Sequence, residues 1–346
     1  MNPKKIHETC RMTSFISEKF NENNLKNIID LGAGQGYLSF LLSSRAGFSV
    51  VAIEGRKHNS EKSEKRAEKL TKIAKGQNCL RNVCEIVKGD ELGEYSGGIC
   101  GIVGLHTCGD LASDSLRMFV ANENVAGIVN VGCCYQLLTE FVDRDSDGFQ
   151  EYFKRIGMGA DGRSLDETLV DDSDKAGYPL SRFVKENFPQ FMLGKLNRSL
   201  CIGDSSEQHS QKAIFNFKKL EYRAAFQYIL STKYPHLSKV FAIGNKIRRF
   251  KDFSDYCAAA FERLELDNPL DPDELNTFYS ENFELNSKKI SILWTMRSVF
   301  SGPIENLILL DRLLYLHEQN IPAKAYKIFN REQSPRNTAI CAFKLH

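Results

Sequence analysis

The segment IIDLGAGQGYLSFLL, residues 28–42, most restricts the folds open to this chain. Its apolar start reads as a buried strand, and YLSFLL opens a helix. Between them GAGQG must turn sharply, and glycine adopts the left-handed backbone that such turns need. A strand that passes through a glycine turn into a helix lets backbone N–H groups approach a ligand closely.

The neighbouring sequence keeps the same alternation. Residues 4–20 have helical periodicity through Ile6, Met12, Phe15, Ile16 and Phe20. FSVVAIEG reads as a second strand ending on Glu54. The charged helix HNSEKSEKRAEKLTKIA follows, with Glu61–Lys65 and Glu68–Lys72 at i,i+4 spacing. CEIVKGD reads as a third strand ending on Asp90, and GICGIVGLH as a fourth ending at His106. DLASDSLRMFV reads as a helix and AGIVNVG as a fifth strand. AYKIFNREQSPRNTAICAFKL reads as two strands joined by a polar loop, a closing antiparallel hairpin. The expectation is an α/β, Rossmann-like sheet of seven strands with an antiparallel last strand, covered by helices on both faces.

Residues 143–180, rich in Asp, Gly and Ser, read as exposed loops. From about 180 to 300 only helical patterns occur. SGPIENLILLDRLLYLHEQN is an amphipathic helix with Pro303 expected in its first turn. The expected division is 1–140 with 300–346 as a ligand-binding domain. Residues 141–299 are then a mostly helical insertion between strands five and six, covering the substrate side.

The 346 residues exceed what one core usually serves, which agrees with an insertion. A net charge of +2 gives no global electrostatic argument for nucleic acid, so any basic surface must be local. No apolar run nears the roughly 18 residues of a membrane span. MNPKKIHETCRM lacks the apolar centre of a secretory signal. Ten cysteines without a secreted-scaffold spacing point to a reducing compartment, cytoplasm or nucleus. No membrane and no obligate protein partner are expected.

Gly32, Gly34 and Gly36 alone fit nicotinamide, flavin and S-adenosylmethionine (SAM) enzymes. Three acids narrow the choice. Asp30 stands just before the turn, where a carboxylate receives an amino group but gives a pyrophosphate nothing. Glu54, with Gly55 beside it, follows Gly36 by 18 residues. That is close to the roughly 20-residue spacing of a carboxylate holding ribose hydroxyls. Asp90 follows at the third strand end, where an adenine amino group is reachable. Acids at three successive strand ends point to SAM as cofactor, on the class I methyltransferase pattern.

Strands four and five run into GLHTCGDL and VGCCYQLL. His106, Cys108, Cys133 and Cys134 therefore converge where a methyl acceptor would lie. Three readings stand side by side. The thiols are small residues walling the pocket. Alternatively they belong to a catalytic set, with His106 or Asp110 as base and Tyr135 stacking on or hydrogen-bonding the acceptor. Or two or three of them bind zinc with His106. The HxC and CC spacings are poor for tetrahedral chelation, so no metal is expected, and a cysteine nucleophile is the least favoured role.

PKKIHE, DLGAGQGYLSFLL, GLHTCGDL, VGCCYQLLTE, GYPLS and SPRN together resemble the methyltransferase-like protein 25 family, some of whose members are named for a ribosomal RNA adenine dimethylase domain. The resemblance covers essentially the whole chain. A looser one is to the eukaryotic tRNA 2′-O-methyltransferase of the acceptor stem, whose HxCG and CC-containing segments occupy equivalent strand ends. The zinc-finger segments of that enzyme are absent here, so its substrate is not carried over. The rRNA dimethylases have an NLPY-like tetrapeptide after strand four, where this chain has HTCG, so their chemistry is not carried over either.

The resemblance implies a SAM-dependent methyltransferase. RNA, tRNA or rRNA, is the first expected acceptor and protein the second, with a non-catalytic SAM-fold interaction module as the rival. It also supports Lys5 and His7 folding over the cofactor, and Arg336 reaching the site. Lys246, Arg248 and Arg249, with Lys251 and interleaved Phe241, Phe250 and Phe253, are candidates for phosphate contact; a solvated helix face explains the same run.

Overall fold

Helix α1 (Pro3–Glu22) begins where the Asn2 side chain accepts the Lys5 N–H at 2.8 Å, with Pro3 in the first turn. β1 (Asn27–Leu31) leads through the glycine turn into α2 (Tyr37–Ser44). β2 (Ser49–Ile53), α3 (Lys57–Ala74), β3 (Leu80–Val83) and the short α4 (Gly93–Ser96) follow. β4 (Cys100–Cys108), α5 (Leu111–Ala121) and β5 (Val125–Cys133) complete the parallel part. The closing hairpin is β8 (Ala323–Lys327) and β9 (Thr338–Phe343), the numbers β6 and β7 belonging to Glu140–Phe141 and Leu169–Val170. This computed structural model describes residues 2–74, 79–87, 92–147, 149–151, 167–201, 211–234, 247, 249–266 and 270–344.

The sheet order is β3-β2-β1-β4-β5-β9-β8, seven strands, with β9 antiparallel to both neighbours. Adjacent residues of one strand point to opposite faces, and here both faces are apolar. Ile28, Val50, Val103, Val129 and Cys341 pack with Met12, Ile16 and Phe20 of α1 and Leu38 and Leu42 of α2. On the other face Ile29, Ile53, Ile102, Ile128 and Ile340 pack with Leu116 and Phe119 of α5. Leu309 and Leu316, from helix α11 (Ser287–Glu318), join that second layer. The expected α/β sheet is therefore the observed one.

Four local expectations need correction. The third strand is LRNV, upstream of CEIVKGD. β2 ends at Ile53, and just beyond it the Glu54 N–H donates to Val83 O at 3.0 Å. Pairing ends there, and Ile86 is left 70% exposed. β4 continues past His106 to Cys108, because a register shift between Leu105 and Thr107 lets pairing with β5 resume.

The third correction concerns the segment read as exposed loops. Ala176, Tyr178 and Leu180 within it are buried, as is Ser181 just after it. Their backbone groups find partners that composition does not reveal. Ser113 Oγ donates to Gly177 O at 2.7 Å, and the Leu180 and Ser181 N–H groups donate to the Asp311 carboxylate at 2.7 and 2.9 Å. The fourth is Pro303, which lies inside α11, since the preceding SKKISILWTMRSVFS is itself helical.

The chain clusters into two compact units, residues 1–202 with 302–346, and 203–301. Of the expected insertion, 141–202 therefore clusters with the sheet. It contributes α6 (Arg182–Asn187) and α7 (Gly194–Leu200). Arg198 of α7 and Glu140 of β6 form an ion pair with both side chains fully buried. Glu140 also accepts the Leu193 and Gly194 N–H groups, so its charge is compensated. Removing one partner would leave a buried charge alone, a loss of roughly 3–5 kcal/mol.

The second unit holds α8 (Gln211–Lys233), α9 (Phe253–Arg263), α10 (Pro272–Asn282) and the first half of α11. Its core is aromatic: Tyr222, Phe226, Phe253, Tyr256, Phe261 and Tyr279. Among the described residues no helix is long and apolar enough to cross a membrane.

Candidate active site

A cavity of about 470 Å³ opens at the carboxyl ends of β1 and β4, lined by Lys5, Asp30, Gly32, Gly34, Asn59 and His106, among others. The glycine turn forms its floor. Gly32, Gly34 and Gly36 all have positive φ, at 67°, 59° and 71°. A Cβ on Gly36 would collide with Ser63 Oγ, whereas one on Gly34 would meet nothing closer than 4.0 Å. Packing thus explains Gly36, while Gly34 keeps its side of the turn open.

Asp30 is 1% exposed and accepts the Ser39 hydroxyl. Burial pushes its carboxyl up to about 7, against the pull of Ser39 and the Lys5 charge. A cationic ligand group would relieve that cost. Glu54 accepts the Gly34 N–H on Oε2 and the Arg56 N–H on Oε1, both at 2.8 Å. Each oxygen retains a lone pair for a further donor. Gly55 follows it on the surface.

Sequence reasoning missed Arg66. Its guanidinium lies 3.7 Å from the centroid of the Tyr37 ring and donates to the Gln35 carbonyl, bracing the turn from outside. Asp90 lies outside the described residues, as do Lys246 and Arg248. Arg249 is exposed in the second unit. His7 is not among the cavity's lining residues: its Nε2 accepts the Asn330 N–H at 3.0 Å.

At the other wall, His106 has φ 66° and its side chain is 26% exposed. Its Nε2 meets Oε1 of Glu8, a carboxylate of α1 that is 2% exposed and also accepts the Ser334 hydroxyl at 2.8 Å. Burial alone would raise Glu8. The His106 hydrogen bond and charge, with Ser334 and Lys4, outweigh it and hold the carboxyl below its ordinary value. Glu8 follows directly on His7 in the quoted KKIHE, which was the available signal.

Cys108, Cys133 and Cys134 gather at the ends of β4 and β5. The Cys133 thiol hydrogen bond pulls Cys108 down to about 6, and the same interaction with burial raises Cys133. Burial also raises Cys134. Asp110 Oδ1 accepts the Thr139 N–H at 2.7 Å, which ties it to the chain after β5.

Tyr135 is 1% exposed. Arg312 and Arg336 lie over its ring at 5.6 and 5.2 Å, and its hydroxyl donates to Glu305 at 3.2 Å. A ring so covered has no face for stacking on an acceptor, so that expectation fails in this conformation. Arg336 is 13% exposed and pairs with Glu305 at 3.3 Å.

A family described as a methyltransferase domain matches residues 4–141. Probable methyltransferase-like protein 25 of human is 31% identical over 249 residues, covering 71% of this chain and 37% of that protein. The mouse protein of the same name matches with the same identity and coverage. The chain thus spans about 37% of the length of these relatives. A solved structure described as the N-terminal domain of EvdMO1 with SAH bound covers 34% of this chain and 48% of that one. Its identity is 20% and its TM-score 0.27, a likeness too weak to bear on function. The order of the seven strands, the glycine turn at the first strand end and these matches agree: over 71% of its length the chain is a relative of the methyltransferase-like protein 25 proteins, and its residues 4–141 match a methyltransferase domain, here on a seven-stranded α/β sheet.

Proposed function

We propose that this chain is a SAM-dependent methyltransferase acting on RNA. The observation that carries the activity is one cavity bringing together the glycine turn, buried Asp30 and the Glu8-paired His106. The residues fit the cofactor. Asp30 is a buried carboxylate suited to an amino group, Glu54 has acceptor capacity for two hydroxyls, and Gly34 leaves room beside the turn. When bound, SAM supplies an electrophilic methyl group.

The chain's own residues then align the acceptor and remove its proton. Glu8, held ionised, fixes the proton of His106 on Nε2, leaving Nδ1 to accept. His106 Nδ1 would take the acceptor's proton as the methyl group passes to the acceptor's lone pair and the cofactor's sulfur keeps the electron pair of the broken carbon–sulfur bond. Asp110, engaged by Thr139, is the weaker candidate for this role.

RNA as acceptor is supported by the likeness of HTCG and GCC to the tRNA 2′-O-methyltransferase and by the basic run Lys246 to Lys251. All ten cysteines are free, which fits a cytoplasmic or nuclear location. The test is transfer of tritiated methyl from SAM to cell extract by the purified chain. The expected result is label lost on RNase treatment and retained on protease treatment. Label lost only to protease would make protein the acceptor, and no incorporation would contradict the activity.

A further inference from the structure

The sulfurs of Cys108, Cys133 and Cys134 converge on one point. Cys133 Sγ lies 3.2 Å from Cys108 Sγ and 3.6 Å from Cys134 Sγ, and all three are within 4.8 Å of one another. Two backbone departures produce this. The shift between Leu105 and Thr107, with His106 in the left-handed region, sets Cys108 beside Cys133 in the resumed register. Cys134 itself has φ 52°. In a continued strand its side chain would point away from that of Cys133, and the turn brings the two sulfurs together instead. Non-glycine residues at such angles are uncommon, and two of them flank this one cluster.

Packing does not account for the arrangement. Cys108 is exposed and Cys134 half-buried, although a thiol used as a small hydrophobe belongs inside. A Cys108–Cys133 disulfide would leave Cys134 without a role.

We propose that Cys108, Cys133 and Cys134 bind one thiophilic metal ion, zinc(II), through three thiolates. Zinc–sulfur bonds of about 2.3 Å in a tetrahedron place sulfurs about 3.8 Å apart, so small side-chain adjustments complete the set. The fourth position is open to water or substrate. Arg56 and Arg336 bring positive charge to Cys108 and Cys134, which offsets the net negative charge of three thiolates around a dication. The HxC spacing drops out because His106 Nε2 faces Glu8, and the poor CC spacing is overcome by the left-handed turn at Cys134, which brings its sulfur to 3.6 Å from that of Cys133. Three thiols from two strand ends avoid that difficulty. The proposal does not depend on what the cavity binds.

The test uses the full chain purified in reductant without chelator. Elemental analysis should find about one equivalent of zinc, and cobalt(II) replacement should give thiolate-to-cobalt charge-transfer absorption. Cys108→Ser and Cys134→Ser should each weaken metal affinity at least about tenfold in competition with a chromophoric chelator. Cys10→Ser, an exposed cysteine of α1, should not. If the variants misfold, thiol titration of the wild-type chain decides: metal removal should expose three additional reactive thiols. Metal-free protein that takes up no cobalt(II), or a Cys108–Cys133 disulfide in protein from reducing cells, would overturn the assignment.

Discussion

His106 Nε2 lies 3.0 Å from Glu8 Oε1, joining the end of β4 to the first helix of the chain. Ser334, in the loop before β9, donates to the same carboxylate oxygen at 2.8 Å. Three segments far apart in sequence thus meet on one buried charge at the cavity wall. The α1 helix thereby contributes to the site's chemistry as well as to its core.

Glu8→Gln tests that role. The substitution keeps the shape and removes the charge. Turnover should fall at least tenfold, within the roughly 10²–10⁴-fold contribution of a general base. SAM affinity should stay nearly unchanged. A purely structural Glu8 would lower stability and leave kcat of the folded variant unchanged. The depressed Glu8 carboxyl also stabilises the fold above its unfolded value of 4.5, a contribution lost as pH falls below it.

Asp30 has the opposite sign. Its folded value of about 7 exceeds the unfolded 3.8, so the ligand-free protein loses stability as pH rises between them. Asp30→Asn should therefore raise the melting temperature at pH 8 and change it little at pH 4. The difference at pH 8 is at most of order 4 kcal/mol. SAM affinity should rise with pH through about 7 in the wild type, as the carboxylate forms, and stay flat and weaker in Asp30→Asn. Parallel pH profiles of affinity for the two proteins would rule Asp30 out as the cofactor's counter-ion.

The sheet was legible because its information is local and periodic. IIDLGAGQGYLSFLL and AGIVNVG carry apolar strands and turn chemistry that no distant contact overrides. The third strand was misplaced because CEIV looks more apolar than LRNV, while its partner β2 runs only to Ile53, opposite Val83. GYPLS looked like loop because its burial depends on Ser113 and Asp311, two residues far along the chain. At the site, Asp30, Glu54, His106 and the thiols could be named from their strand ends. Glu8 stood beside His7 in a motif already singled out, but its role, like that of Arg66, depends on a tertiary contact. Tyr135 was assigned to the acceptor because nothing in its own segment reveals that Arg312 and Arg336 cover it.

The most direct test of the account is calorimetric titration of the chain with SAM, alongside Glu54→Ala. Hydrogen bonds to a charged group contribute roughly 1.5–3 kcal/mol each. Loss of the Glu54 carboxylate should therefore weaken binding at least about tenfold, or 1.4 kcal/mol. One SAM per folded chain is expected in the wild type, and that loss in the variant. No binding to folded wild-type protein, or an unchanged Kd in folded Glu54→Ala, would contradict it.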